Sequence, residues 1–83
     1  MEIIVSSEKL GTYWDEEGSY DVYAEVCKTQ NIGSVEWIAR LVECPENYPD
    51  RTLDVRRKLR SEREASDNLA NMVVWYNRKL RLA

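Results

Sequence analysis

Three groups of residues in this chain have side chains that could do chemistry: an acidic run, a basic run and two cysteines. The acidic run, Asp15, Glu16, Glu17 and Asp21, spaces carboxylates much as a calcium-binding loop does. The match fails in detail, because a glycine stands at the fourth position instead of the sixth, and Val26 stands where a bidentate glutamate is required. We therefore expect no metal site here and no cofactor, and interpret these residues as a solvated acidic loop.

The basic run comprises Arg56, Arg57, Lys58 and Arg60, with Arg63 following shortly after. Cations at this density could bind the phosphate backbone of a nucleic acid. Against this, the alternation of a β-strand would separate Arg57 from the others, and the sequence contains no helix-turn-helix or RNA-recognition signature. Nucleic-acid binding through Arg56, Lys58, Arg60 and Arg63 is therefore the alternative function.

The residues that most enzymes use for catalysis are scarce in this sequence. There is no histidine, no glycine-rich phosphate loop and no Cys-x-x-Cys pair. Adjacent carboxylates such as Glu16 and Glu17 lie in a predicted flexible loop, which would not hold them in a fixed geometry. We predict that the protein is not an enzyme.

Charge divides the chain after residue 50. Residues 1–50 carry three basic and eleven acidic residues, a net charge of −8, whereas residues 51–83 carry nine basic and four acidic residues, a net charge of +5. Segments of such opposite charge either neutralise each other in the fold or present opposite poles to partners. The sequence leaves both arrangements open.

A length of 83 residues predicts one domain, residues 1–83. Such a short chain buries only about 60–65% of the surface that its unfolded form exposes, so we expect modest stability. No apolar stretch approaches the roughly 20 residues that span a bilayer. The apolar run Ile3 to Val5 is not preceded by a basic region, as a secretory signal would be. We expect a cytoplasmic protein.

Two runs alternate with the period of a β-strand, Tyr20 to Val26 and Val35 to Cys44. Asn31 and Gly33 between them suit a hairpin turn, so we predict that the two strands pair antiparallel. The polar stretch Ser6 to Gly18 before them is interpreted as a loop. The residues predicted to share one face are Tyr20, Val22, Ala24 and Val26 in the first run, and Val35, Trp37, Ala39 and Leu41 in the second.

The predicted hairpin also places the two cysteines. Residue numbers of partners across the turn should sum to about 63 or 65, which puts Cys44 opposite Ser19 or Asp21. Cys27 then lies about 20 Å or more away along the strand, at about 3.3 Å per residue. That distance is beyond disulfide reach, so we predict two free thiols.

The run Thr52 to Arg60 is predicted to be a further strand, after a turn enforced by the two prolines in Pro45 to Asp50. A helix is the competing interpretation, but the apolar residues of this run would fall at scattered angles on a helical wheel. The predicted strand directs Leu53, Val55 and Leu59 towards the core, and Asp54, Arg56, Lys58 and Arg60 towards the uncovered side.

A capping box, Ser61 with Glu64, predicts the start of a helix, in which the Glu64 carboxylate reaches back to the backbone of Ser61. Apolar residues at helical spacing follow. We predict an α+β fold in which a three- or four-stranded antiparallel β-meander packs against one C-terminal α-helix. The stripe of the helix that faces the sheet consists of Ala65, Leu69, Met72, Val73, Tyr76 and Leu80.

The sheet face turned away from this helix is a candidate partner surface, because it mixes charged, apolar and aromatic side chains. The alternative is a solvated face on which acidic and basic residues pair across strands, each pair contributing about 0.2–1 kcal/mol. Trp75 on the flank of the helix either covers a core edge or contacts a partner. The candidate residues on the sheet face are Tyr23, Glu25, Ile38, Arg40 and Val42.

The order of strands followed by a helix that opens with Ser61-x-x-Glu64-Ala65 resembles the small HicB-type antitoxin domains, over about the C-terminal half of the chain. In size, acidity and lack of a catalytic motif, the chain also resembles phage-encoded inhibitors of host defence, anti-CRISPR proteins among them. The first resemblance implies an antitoxin-type regulatory domain. The second implies a stoichiometric inhibitor of a protein target.

Together these observations predict a small non-catalytic protein-binding module, an inhibitor or adaptor of the anti-defence style. Its contact surface would be the acidic loop Asp15 to Asp21 or the open sheet face. An acidic surface can occupy a basic groove on a target and accelerate the encounter. A homodimer through the sheet face or Trp75 stays open, nucleic acid is the alternative partner, and we expect no contact with membranes.

Overall fold

The structure of the chain, a computed structural model, is described over residues 1–16 and 18–82, without the side chains of residue 15 and of residues 78–82. A four-stranded antiparallel sheet with the strand order β1-β2-β3-β4 packs against one C-terminal helix, as predicted for an α+β meander. The elements are β1 (Glu2–Asp15), β2 (Gly18–Asn31), β3 (Ser34–Pro45), β4 (Arg51–Leu59) and α1 (Glu62–Leu82).

Strand β1 runs through most of the segment Ser6 to Gly18, so the prediction that this segment forms a loop is wrong. The strand pairs with β2 along its whole length, from Glu2 opposite Thr29 to Asp15 opposite Gly18. Two bulges interrupt the pairing, at Val5 and at Leu10. Each extra residue reverses the inward and outward alternation that follows it, so the sequence shows no continuous period of two.

The β2–β3 hairpin follows the predicted register. Every pair sums to 65, and no bulge interrupts the ladder. Cys44 lies opposite Asp21 and Cys27 lies opposite Ile38, so the two cysteines are far apart along the hairpin. Both are free thiols, as predicted.

Strand β4 is present as predicted, but the prediction of which side its residues face is wrong for its middle. Val55 lies opposite Arg40, and directly opposite residues share a face, so Val55 lies on the face away from α1. Arg56 lies opposite Ala39, which belongs to the core beneath the helix. Asp54, opposite Leu41, is likewise on the helix side, whereas Leu59 packs against the core as predicted.

One of two bulges in β4 causes this change of side; the other lies at Leu53, which is exposed and not in the core as predicted. Arg57 and Lys58 together stand opposite the single residue Ile38, which reverses the alternation between the end of β4 and its middle. Lys58 adopts a left-handed backbone conformation, with φ of 59°. That conformation costs a residue other than glycine roughly 1–2 kcal/mol.

Helix α1 begins at the predicted serine cap. Glu64 donates its backbone N–H to the Oγ of Ser61 at 3.1 Å. The Glu64 carboxylate accepts the backbone N–H of Arg60 at 3.0 Å, one residue before the predicted partner. It thereby satisfies a backbone donor at the junction between β4 and α1. No helix within the described part of the chain has both the length and the apolar character of a membrane span.

The core beneath the helix is made of small and medium apolar side chains. Small residues in the sheet allow the helix to approach closely, and half-buried larger residues surround them. The predicted stripe supplies most of the helix contribution, whereas the side chain of Leu80 lies outside the described residues. The buried residues are Ala24, Val26, Ala39, Leu41, Ala65 and Met72, and those packed around them are Leu10, Trp37, Leu59, Leu69, Val73 and Tyr76.

Candidate functional site

The sheet face away from α1 holds all five candidate partner residues, but it does not offer the apolar surface expected of it. Ile38 exposes only 1% of its surface and Val42 only 9%, so the expectation that both add exposed apolar area is wrong. Their neighbour Cys27 is fully buried. A partner approaching this face would meet mainly the charged side chains around these residues.

An ion-pair network occupies the middle of that face. Arg40 donates from Nε to Oε1 of Glu25 at 2.9 Å, and from Nη1 to the carboxylate of Glu2. The second oxygen of Glu25 accepts from the Oγ of Ser7 at 3.4 Å. The alternative interpretation, acid–base pairs across strands, therefore describes this part of the face. Half-buried Tyr23 lies one row further along, opposite Val42.

Acidic residues gather at one end of the sheet, where the β1–β2 turn meets the β3–β4 loop. The two segments are joined by two hydrogen bonds, from the Glu46 N–H to the Ser19 carbonyl at 3.1 Å and from the Ser19 Oγ to the Glu46 carboxylate at 3.3 Å. Of the predicted acidic loop, Glu17 and the side chain of Asp15 lie outside the described residues. We call the following residues the acidic end: Glu16, Asp21, Glu43, Glu46 and Asp50.

A cleft of about 390 Å³ opens at the acidic end. Two tyrosines and two prolines give it apolar walls, and carboxylates lie among them. Tyr48 on its rim is 58% exposed. This cleft was not predicted from the sequence, because the segment from Pro45 to Asp50 was interpreted only as a turn; a tyrosine between two prolines was the available signal. The lining residues used below are Tyr20, Pro45, Glu46, Tyr48, Pro49 and Asp50.

The carboxylates at this end differ in how far they are neutralised. Glu43 is buried and accepts a hydrogen bond from Arg51. Asp21 accepts from the Oγ of Thr12 at 2.6 Å and lies 3.4 Å from the ammonium group of Lys9. The hydrogen bond from Thr12, and then the charge of Lys9, hold the pKa of Asp21 below its ordinary value. Asp21 therefore stays ionised at neutral pH.

Cys44, next to the cleft, provides a test of the packing at this end. Burial, and then a hydrogen bond with Asp50, raises the pKa of its thiol from 9.0 to about 11. Because the thiolate is the nucleophile, we expect native Cys44 to be alkylated at pH 8 about 100-fold more slowly than in the unfolded chain. The rate should rise with pH until about 11. Peptide-level mass spectrometry after timed iodoacetamide treatment measures both rates.

The same shift sets the sign of a pH dependence. The folded-state pKa lies above the unfolded value, so the contribution of Cys44 to stability is complete below about pH 9 and is lost as the pH rises towards 11. A native alkylation rate equal to that in urea would contradict the raised pKa of the half-buried Cys44 thiol. The urea-unfolded chain serves as the control, because both samples carry the same two cysteines.

The remaining candidate residues are exposed. Arg56, Arg57, Lys58, Arg60 and Arg63 lie at the end of β4 and the start of α1, all with exposed side chains. On the outer side of the helix Trp75 is 71% exposed, so it does not lie beneath other side chains. Within the described residues, histidine, cysteine, aspartate and glutamate side chains form no group of three that could hold a metal ion.

The comparisons with known proteins do not assign this fold to a family. No family model, curated protein or solved structure matches the chain. The surfaces that bear on function are the acidic end, the sheet face and the basic residues at the junction of β4 and α1.

Proposed function

We propose that the chain is a non-catalytic protein-binding module, an inhibitor or adaptor that works stoichiometrically, and that it presents its acidic end to a basic surface of its partner. The observation that carries this proposal is the cleft, in which exposed Tyr48 lies among Glu46, Asp50 and two prolines. Tyrosine is enriched among the residues that dominate binding energy at protein interfaces.

Electrostatics supports the choice of a basic partner. Carboxylates of the acidic end would attract a cationic groove during diffusional encounter and would favour one orientation of docking. The apolar walls of the cleft would then add affinity by excluding water from Tyr48 and the prolines. A module of this kind needs no catalytic residue. Inhibition follows when the basic groove is the one that the target uses for its own anionic ligand.

The sheet face is a weaker candidate for the contact surface than the acidic end. Its arginine is already bound to Glu25 and Glu2, and Ile38 is buried beneath its neighbours. A partner would have to break these ion pairs before it could use the charges. We therefore place the contact at the cleft, and leave Trp75 as a separate surface for self-association. Sedimentation of the wild type and of Trp75→Glu tests that second surface.

Affinity capture with two matched double variants tests the proposal. Glu46→Gln with Asp50→Asn removes two charges from the acidic end, whereas Glu8→Gln with Asp67→Asn removes two exposed charges elsewhere. The variants are used to capture proteins from a host-cell lysate, and the captured amounts are measured by quantitative mass spectrometry. We expect the wild type and the control variant to capture the same basic protein. The acidic-end variant should capture at least tenfold less of it. Equal retention by both variants would refute the acidic end as the contact surface.

A further inference from the structure

We propose that the exposed cations at the junction of β4 and α1 bind the phosphate backbone of a nucleic acid. This surface, which we call the basic junction, is separate from the cleft. It consists of Arg56, Arg57, Lys58, Arg60 and Arg63. The proposal is independent of the protein-binding function: one surface can fail its test while the other passes.

The first observation is that no carboxylate among the described residues neutralises these cations. Other basic residues of the sheet are engaged: Lys9 with Asp21, Arg40 with Glu25 and Glu2, and Arg51 with Glu43. Lys28 lies over the ring of Trp37, 5.8 Å from its centre. Across the described part of the chain, no side chain of the basic junction has a carboxylate within ion-pair distance.

The second observation explains why nearby carboxylates leave these cations free. Glu36 accepts the backbone N–H of Lys58 at 2.8 Å, and Glu64 accepts that of Arg60 at 3.0 Å. Asp54 accepts the backbone N–H of Val55 at 2.9 Å. Three acidic side chains are thus held against the backbone of an irregular edge strand, where they satisfy its donors. The longer arginine and lysine side chains extend beyond them into solvent.

The bulge at Arg57 and Lys58 distributes the cations of the basic junction over both sides of an edge strand, whose long side chains can reach a common ligand along the exposed edge. Regular alternation would send Arg57 to the face opposite its neighbours. Because of the bulge, Lys58, which has a left-handed backbone, joins Arg57 opposite Ile38 on the face away from α1. Bulges commonly redirect side chains in this way at the edges of sheets. Arg56 lies on the helix side of the sheet, the side on which α1 begins and Arg63 is exposed.

The chemistry of the cluster is suited to binding phosphate. Four of its five cations are arginines, whose planar guanidinium group binds phosphate oxygens in pairs. Trp37, at the same end of the sheet, is half-buried beneath Lys28 and is not free to stack on a base. We therefore expect the protein to contact the sugar-phosphate backbone of the nucleic acid and to show little preference for base sequence.

The acidic end does not prevent this binding. The end of β3 at Pro45 is about 20 Å from Ala39, the partner of Arg56, at about 3.3 Å per residue. Charges separated by more than about 8 Å are largely screened at physiological ionic strength. The two poles of the molecule can thus act separately, and the acidic end would turn away from the nucleic acid.

Fluorescence anisotropy with short random-sequence DNA, duplex and single-stranded, tests the proposal. With about three to four phosphates neutralised, the logarithm of the association constant should fall with the logarithm of salt concentration with a slope of about −3. Lys58→Gly with Arg60→Gln should weaken binding at least tenfold at low salt and reduce the slope by about one per cation removed. The glycine also suits the left-handed position, so this variant should remain folded.

Lys9→Gln with Lys28→Gln is the matched control, because it removes two charges outside the basic junction. We expect its affinity for DNA to stay within threefold of the wild type. Absence of wild-type binding to both DNA probes at low salt would overturn the proposal, as would equal losses in the two variants. Binding to vesicles that contain phosphatidylserine, without binding to DNA, would overturn it in favour of a membrane surface.

Discussion

Replacement of Ile38 by alanine will lower the free energy of unfolding by about 3 kcal/mol, within the range of about 2–5 kcal/mol found for fully buried large residues. Ile38 exposes 1% of its surface, although it lies on the sheet face away from the helix. Its removal leaves a cavity between Cys27, opposite on β2, and the side chains around it. Urea unfolding followed by circular dichroism measures the change.

This effect is large relative to the total free energy of unfolding that we expect for the chain. A domain of this length has a total unfolding free energy of about 4–12 kcal/mol, from about 0.05–0.15 kcal/mol per residue. Val35→Ala is the matched control on the same strand, since Val35 is exposed, and should change stability by less than about 0.5 kcal/mol. A change as small for Ile38→Ala would mean that this face is solvated and available to partners.

The hairpin and the helix could be predicted from the sequence because each follows one uninterrupted rule. Every β2–β3 pair sums to 65, so the period of two holds along the whole hairpin. The helix starts at Ser61, whose hydroxyl accepts the Glu64 N–H. Its apolar stripe, from Ala65 to Tyr76, then keeps helical spacing and packs against the sheet. Local pattern and tertiary packing agree in both elements.

The edge strands could be predicted less well, because bulges break the pattern on which the prediction depends. Val5 and Leu10 interrupt the pairing of β1, and the intervening polar residues then look like a loop. In β4 the bulge at Arg57 and Lys58 keeps Leu59 facing the core but places Val55 on the opposite face. A period-two pattern cannot show an extra residue without knowledge of the partner strand.

The candidate site depends on contacts between distant parts of the chain. Ser19 and Glu46, 27 residues apart, join the two segments that border the cleft. No local pattern predicts that meeting, although the register of the hairpin brings the two ends together. Alternation could likewise predict the face on which Ile38 lies, but not that neighbouring side chains bury it. Burial on an open sheet depends on the positions of long side chains, such as that of Arg40, which can cover the residues beneath them.

Arg40→Met should cost about 2–3 kcal/mol of unfolding free energy, because it removes the main hydrogen-bond donor to Glu25 and leaves that carboxylate poorly compensated. Only 9% of Glu25 is exposed, so water replaces the lost donor incompletely. Glu2 also loses its partner, but it is exposed and contributes little. Arg57→Met, at an exposed position without an ion pair among the described residues, should change stability by less than about 0.5 kcal/mol.

A double-mutant cycle separates the ion pair from the packing of its aliphatic parts. Glu25→Leu combined with Arg40→Met removes both charges, and we expect the double variant to recover to within about 1 kcal/mol of the wild type. The coupling energy between the two positions should then be about 2 kcal/mol. Additive losses in the double variant would contradict the pairing and would indicate that Arg40 acts by covering apolar residues. Recovery would show that Arg40 stabilises the fold mainly by compensating the buried carboxylate of Glu25, which water reaches poorly.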